Sequence, residues 1–182
     1  MSTFSNLDSV FEKLAKYNLQ GFSHTDRGLI DHLKGTHAIL EKWDCSKDLC
    51  LAGLCHSIYG TESYRRSPID LSERKSISEI IGAKAEKTAY YFGAHVKDSL
   101  WKNLEKERNF TIYDRLNEQE VPICEEELKE LITLTLANWL EQRPRAPQEH
   151  LFVRQEEFLK AENYLPATAF DDFKKAYGIT LG

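Results

Sequence analysis

An all-α domain of seven or eight helices, with one short β-hairpin, is the fold class this 182-residue sequence predicts. Apolar residues recur at spacings of three and four over most of the chain, the mark of helices that bury one face. Proline (5) and glycine (9) are scarce, so breaks are few. The two longest uncharged stretches, Leu49 to Gly60 and Leu131 to Leu140, are apolar nearly all round, as expected of segments central to a helical core. No repeat, low-complexity run or linker divides residues 1–182, which are expected to form one domain.

The elements follow in order. Val10, Phe11 and Leu14 give an apolar face behind Asn6 or Asp8 as cap, suggesting a helix over about residues 7–18. Leu29, Leu33, Thr36, Leu40 and Trp43 place a second helix up to Asp44. A third runs from Lys47 to about Ile58 and is stopped by Tyr59-Gly60-Thr61. Ser72 opens another, interrupted near Gly82, continuing through Phe92 and stopped by Gly93. Lys97 to Arg108 reads as a charged, exposed helix with Trp101 and Leu104 facing inward. The alternation Thr111-Ile112-Tyr113 with Asn117 as turn suggests a hairpin between Phe110 and Ile123. Glu125 to Gln142 is the second strongly apolar helix. The tail, Gln148 to Tyr177, reads as two amphipathic helices parted near Pro166 and ended by Gly178.

Charge and composition exclude several function classes. Lys+Arg 24 against Asp+Glu 29, with no basic cluster, offers no field to hold a polyanionic backbone, so nucleic acid is not expected as a partner. Both uncharged stretches fall short of the roughly 20 residues of a membrane span. No basic segment followed by an apolar one marks a signal peptide in the first thirty residues, so a cytoplasmic protein without a membrane partner is expected.

Cys45, Cys50, Cys55 and Cys124 form no C-x-x-C pair and are expected to be buried free thiols. On a helix Cys50 and Cys55 point about 140° apart, too far to share a disulfide or a metal. Phosphate-loop, dinucleotide, zincin and nucleophile-elbow motifs are absent. What remains is polar residues in the most apolar helices, where an unpaired polar group is costly. His56-Ser57-Ile58-Tyr59-Gly60-Thr61-Glu62 gathers an imidazole, hydroxyls and a carboxylate at the end of the third helix. His32 lies at the edge of the second helix's apolar stripe. Asn138 and Gln142, four apart, share a face with Leu131 and Thr135. Each could be a satisfied structural seam; together they suggest the wall of one pocket.

This constellation resembles the HD-domain superfamily, all-α metal enzymes that include nucleotide phosphohydrolases, the hydrolase domain of stringent-response enzymes and diiron oxygenases. The likeness covers roughly residues 28–142, with the 148–178 helices expected to pack on it. His32 precedes His56 by 24 residues, L-A-G-L-C-H-S at Leu51 to Ser57 resembles the family's apolar helix running into His-Asp, and A-N-W-L-E-Q at Ala137 to Gln142 resembles its Ala-Asp helix. Ser57 and Asn138 stand where the family has metal-binding aspartates, and His95 is the one histidine between them. D-H-L at Asp31 with H-S-I-Y-G-T-E at His56 also resembles an uncharacterised HD-related family sharing that variant motif. The resemblance implies His32, His56 and Asn138 as ligands of a divalent iron, manganese or zinc.

The residues support three functional expectations. In the first, His56, Glu62 and His24 act as catalytic acid, base or orienting groups, with or without a metal, on a small polar or phosphorylated substrate. Ser57, Tyr59, Thr61, Asn138 and Gln142 then contact the ligand, and Arg74, Arg65 or Arg66 pairs with its anionic group. In the second, the cavity senses a small molecule without catalysis. In the third, the seam is structural and the domain binds protein.

Overall fold

The computed structural model describes residues 9–10, 12–14, 17 and 28–179. Residues 9–10 and 12–14 are helical, with Val10 and Leu14 buried; the rest of the first expected helix lies outside the described residues. Among the described residues the fold is mostly α with one short hairpin. In chain order the elements are α1 (Leu29–Lys42), α2 (Lys47–Cys55), α3 (Arg74–Ile81), α4 (Ala83–Ala94), α5 (Lys97–Trp101), β1 (Thr111–Asp114), β2 (Gln119–Pro122), α6 (Glu125–Gln142), α7 (Gln155–Lys160) and α8 (Ala167–Tyr177). Short 3₁₀ turns link several of them. Among the described residues no helix is long and apolar enough to cross a membrane.

Helix α2 is the centre. Every residue from Leu49 to Cys55 is buried, and α2 packs against α1, α4 and α6. Ser46 caps its start, the hydroxyl accepting the Leu49 N–H. Helix α1 turns Leu29, His32, Leu33, Thr36, His37 and Leu40 inward, a stripe at spacings of three and four. Burial of each such leucine stabilises the fold by about 1.5–3 kcal/mol. Helix α6 starts in a capping box: Cys124 accepts from the Glu127 amide and the Glu127 carboxylate accepts from the Cys124 N–H. Cys124 is therefore exposed and Cys45 half-buried, against the expectation of four buried thiols. Burial pushes the Cys55 thiol up to about 12, with the Glu86 charge adding to it, so that thiol is inert.

Two boundaries differ from the expected ones. Gly93 does not stop α4, which runs to Ala94; its bare Cα lets the chain after α2 pass close by, and a Cβ there would sit 2.6 Å from the Gly60 carbonyl oxygen. The helix expected over Lys97 to Arg108 is a five-residue α-turn followed by a 3₁₀ turn, Lys102–Glu105. Asn103 is the cause. Its amide donates to the carbonyls of Ser99, Leu100 and Thr111 and accepts the Thr111 N–H, turning the chain into the hairpin instead of prolonging the helix.

The hairpin pairs Thr111 with Pro122 through Asp114 with Gln119. Asp114 caps the turn by accepting the Leu116 and Asn117 amides. On its other edge Asp114 bridges to His95, so the hairpin ties down the end of α4. At the far end α8 closes the bundle, Gly178 ending it in the left-handed conformation (φ 67°).

Candidate functional site

His32, on α1, sits among buried leucines and reaches the end of α2, where His56 is fully buried. Their Nε2 atoms meet at 3.1 Å. The opposite nitrogen of each ring is already held. His56 Nδ1–H donates to the Gly53 carbonyl at 2.7 Å, and His32 Nδ1 meets Glu141 Oε2 at 2.5 Å. A carbonyl and a carboxylate accept only, so both Nδ1 atoms carry hydrogens, and when the rings are neutral both Nε2 lone pairs face one point. Two facing lone pairs repel unless a proton or a cation lies between them. Asn138 Oδ1, 3.0 Å from His56 Nε2, turns to the same point and accepts from Gln142 Nε2 at 2.9 Å.

His32, Asn138 and Gln142 of this cluster line a cavity of about 370 Å³, and His56 lies fully buried behind them. Ser57, Thr135, Asn138 and Gln142 line it near His32; Phe92, Trp101, Trp139 and Phe158 form apolar walls; Thr61, Glu62, Lys97 and Arg154 stand around it. Lys97 has its backbone N–H on Glu62 and its ammonium on Ser63. Burial pushes that ammonium's pKa down, against the attraction of Glu62 and helped by repulsion from Arg154. Arg154, left-handed at φ 61°, bridges Asp98 and Glu157. His95 lines the cavity with Nδ1–H donated to the Tyr91 carbonyl, and burial lowers its pKa. It is therefore neutral at pH 7, with Nε2 an acceptor.

The candidates from the sequence divide accordingly. His32, His56, Ser57, Asn138 and Gln142 come together, and Thr61 and Glu62 line the same cavity. Tyr59 and Arg74 do not line it. Tyr59 donates to Glu86 at 2.9 Å, and Arg74 forks onto both Glu86 oxygens at 2.7 and 3.0 Å while its guanidinium stacks 3.5 Å over Tyr90. The buried Glu86 carboxylate has captured the arginine that was expected to meet a ligand anion. Arg65 and Arg66 are exposed and also outside the cavity lining. His24 lies outside the described residues.

Sequence reasoning missed Glu141, Lys97, Arg154 and the cavity-facing role of His95. For Glu141 a signal exists: with Leu134 and Ala137 it continues an inward stripe at spacings of three and four. Among the described residues no group of three His, Cys, Asp or Glu side chains is arranged to hold a metal ion. The converging donors are two imidazoles and an amide oxygen.

Residues 13–96 match the model of a family described as a domain of unknown function (DUF6817). The match takes in His32, His56, Glu62 and His95 but ends before α6, so Asn138 and Glu141 lie beyond it. No curated protein and no solved structure matches the chain.

Proposed function

We propose that the His32–His56 pair, with Asn138, holds a divalent cation at the floor of the cavity, and that the cavity receives a small polar or phosphorylated molecule above it. One observation carries this reading: two Nε2 atoms 3.1 Å apart, each on a ring whose Nδ1–H is already donated. Metal-binding histidines almost always give their second N–H to a carboxylate or a carbonyl, and here one ring does each. Two imidazole nitrogens at the usual ~2.1 Å from one ion lie roughly 3.0–3.4 Å apart, so the spacing fits. Nitrogen donors suit iron, manganese or zinc rather than calcium. A bound ion of this kind would polarise a phosphoryl or carbonyl oxygen, or activate water. The resemblance to HD domains belongs to this proposal.

The chain's own residues do the remaining work. Gly53 and Glu141 fix the two rings; Gln142 holds Asn138 with its oxygen toward them. Phe92, Trp101 and Trp139 exclude water from one side of the ligand. His95 Nε2 accepts a hydrogen bond from it, and Lys97 receives its anionic end.

A second reading rests on the neutrality of the donors. With serine and asparagine where carboxylates would strengthen a cation site, a proton can bridge the two Nε2 atoms, making the pair a metal-free acid–base or sensing centre. Elemental analysis of protein purified without chelator and reconstituted with iron, manganese or zinc separates the two. Near-stoichiometric metal, lost in His32→Gln and His56→Gln, is expected; its absence from wild type after reconstitution would leave the proton-bridged reading.

A further inference from the structure

We infer that Glu141 is the counter-charge of this site, a positioning residue that holds His32 by its Nδ1–H and supplies the negative charge its donors lack. The inference rests on the cation proposal for His32, His56 and Asn138. Those three donors are uncharged, and a dication among neutral groups in a water-poor site is poorly stabilised. Among the described residues the carboxylate bonded to them is Glu141, one turn beyond Asn138 on α6 and 109 residues from His32 in sequence. Its Oε2 lies 2.5 Å from His32 Nδ1, and its side chain is 5% exposed.

Two neighbours show that this placement is built. Arg145 Nη2 donates to both Glu141 oxygens, at 2.8 and 2.7 Å, and to the Glu141 carbonyl at 3.0 Å, locking the carboxylate to the end of α6. Arg145 offsets part of the charge, but its side chain is 28% exposed and shared with water, whereas the carboxylate is not. The second neighbour is Gly35, one turn after His32 on α1. A Cβ there would stand 2.7 Å from Glu141 Cγ and 3.0 Å from Oε1. An ordinary Glu–Arg pair four residues apart would lie on the solvent face. Here α1 leaves a gap through which the carboxylate passes inward to the imidazole.

The test uses Co²⁺ as probe, read by its visible absorption, on the full chain. Glu141→Gln keeps an acceptor for Nδ1–H but removes the charge, and is expected to weaken Co²⁺ binding about 10–100-fold. Asn138→Asp in that background moves the charge into direct contact with the ion and is expected to restore most of the affinity; circular dichroism checks that each variant folds. Glu141→Gln binding as tightly as wild type, or a double variant as weak as the single one, overturns the inference while leaving the cation proposal intact. A second readout is independent of metal. In the apo protein the His32 Nδ1–H proton should resonate far downfield and move upfield in Glu141→Gln. If wild type binds no Co²⁺, the cation proposal falls, and this resonance decides whether Glu141 positions His32: a shift supports it, an unchanged signal overturns it.

Discussion

Helix α4 touches two buried polar clusters that are built on opposite principles. On one side Glu86 and Tyr90 belong to a network with Tyr59, Arg74, Asp114 and Asn117, in which each carboxylate faces donors, and the guanidinium is both forked and stacked. On the other side Phe92 packs edge-on against His56, whose Nε2 faces a second lone pair and an amide oxygen. The first cluster is saturated; the second gathers acceptors toward one point. Saturated networks hold a fold together, whereas converging acceptors are the arrangement on which the proposed cation or proton site rests. The seven residues from His56 to Glu62 contribute to both, so sequence alone grouped Tyr59 with the cavity, and Arg74 was placed there without sight of its partner Glu86.

Four measurements would sharpen or break this contrast. The largest effect is expected from Glu86→Leu, which strands Arg74 and the Tyr59 hydroxyl. Because Arg74 is about a third exposed, the loss should lie near the low end of that for a broken buried pair, about 3 kcal/mol in urea unfolding, with metal or ligand binding preserved in the folded fraction. A comparable loss of binding would erase the distinction between the clusters. Gly35→Ala should cost about 1–3 kcal/mol through overpacking against Glu141 and, unlike Glu86→Leu, should weaken Co²⁺ binding as well. Stability alone changing would detach Gly35 from the site.

Smaller still is the stability change for His56→Gln, about 1 kcal/mol, yet this variant should abolish metal binding. Chemical denaturation beside metal analysis gives both numbers for one preparation. The least effect concerns pH. Burial lowers the pKa of His95, outweighing the hydrogen bonds to Tyr91 and Phe92 and the charge of Glu62 that raise it, and burial lowers that of His37 against the attraction of Glu41. Both are neutral when folded, so their contribution is intact above the unfolded value of about 6.5 and is lost as pH falls below it. His95→Gln should flatten that acid-side slope; an unchanged slope would mean that His95 does not titrate as a buried group.

Much of the fold was legible because local chemistry and packing agree. Helix α6 begins at Glu125 and ends at Gln142 as read from sequence, since its acidic first turn, capping box and apolar face all point the same way. The hairpin was visible in the alternation of Thr111 to Tyr113. The helix over Lys97 to Arg108 was overextended because nothing local says that Asn103 will bond across to Thr111. Gly93 was misread as a stop because its purpose lies in Gly60, 33 residues away. At the site, the spacing of His32 and His56 and the shared face of Asn138 and Gln142 were readable, being regular along helices. Glu141 was readable only in part: its stripe with Leu134 and Ala137 points inward, but its partner is known only once α1 and α6 are side by side.

The cavity wall supplied by Val153, Arg154 and Phe158 has a temporal consequence. Tyr177 on α8 donates to the Val153 carbonyl and accepts from the Trp139 indole, so α8 fastens that wall to α6. During synthesis both imidazoles emerge early, while the carboxylate that orients one of them and the wall that shelters them come more than eighty residues later. The chamber around the two histidines is therefore complete only after α8 has docked.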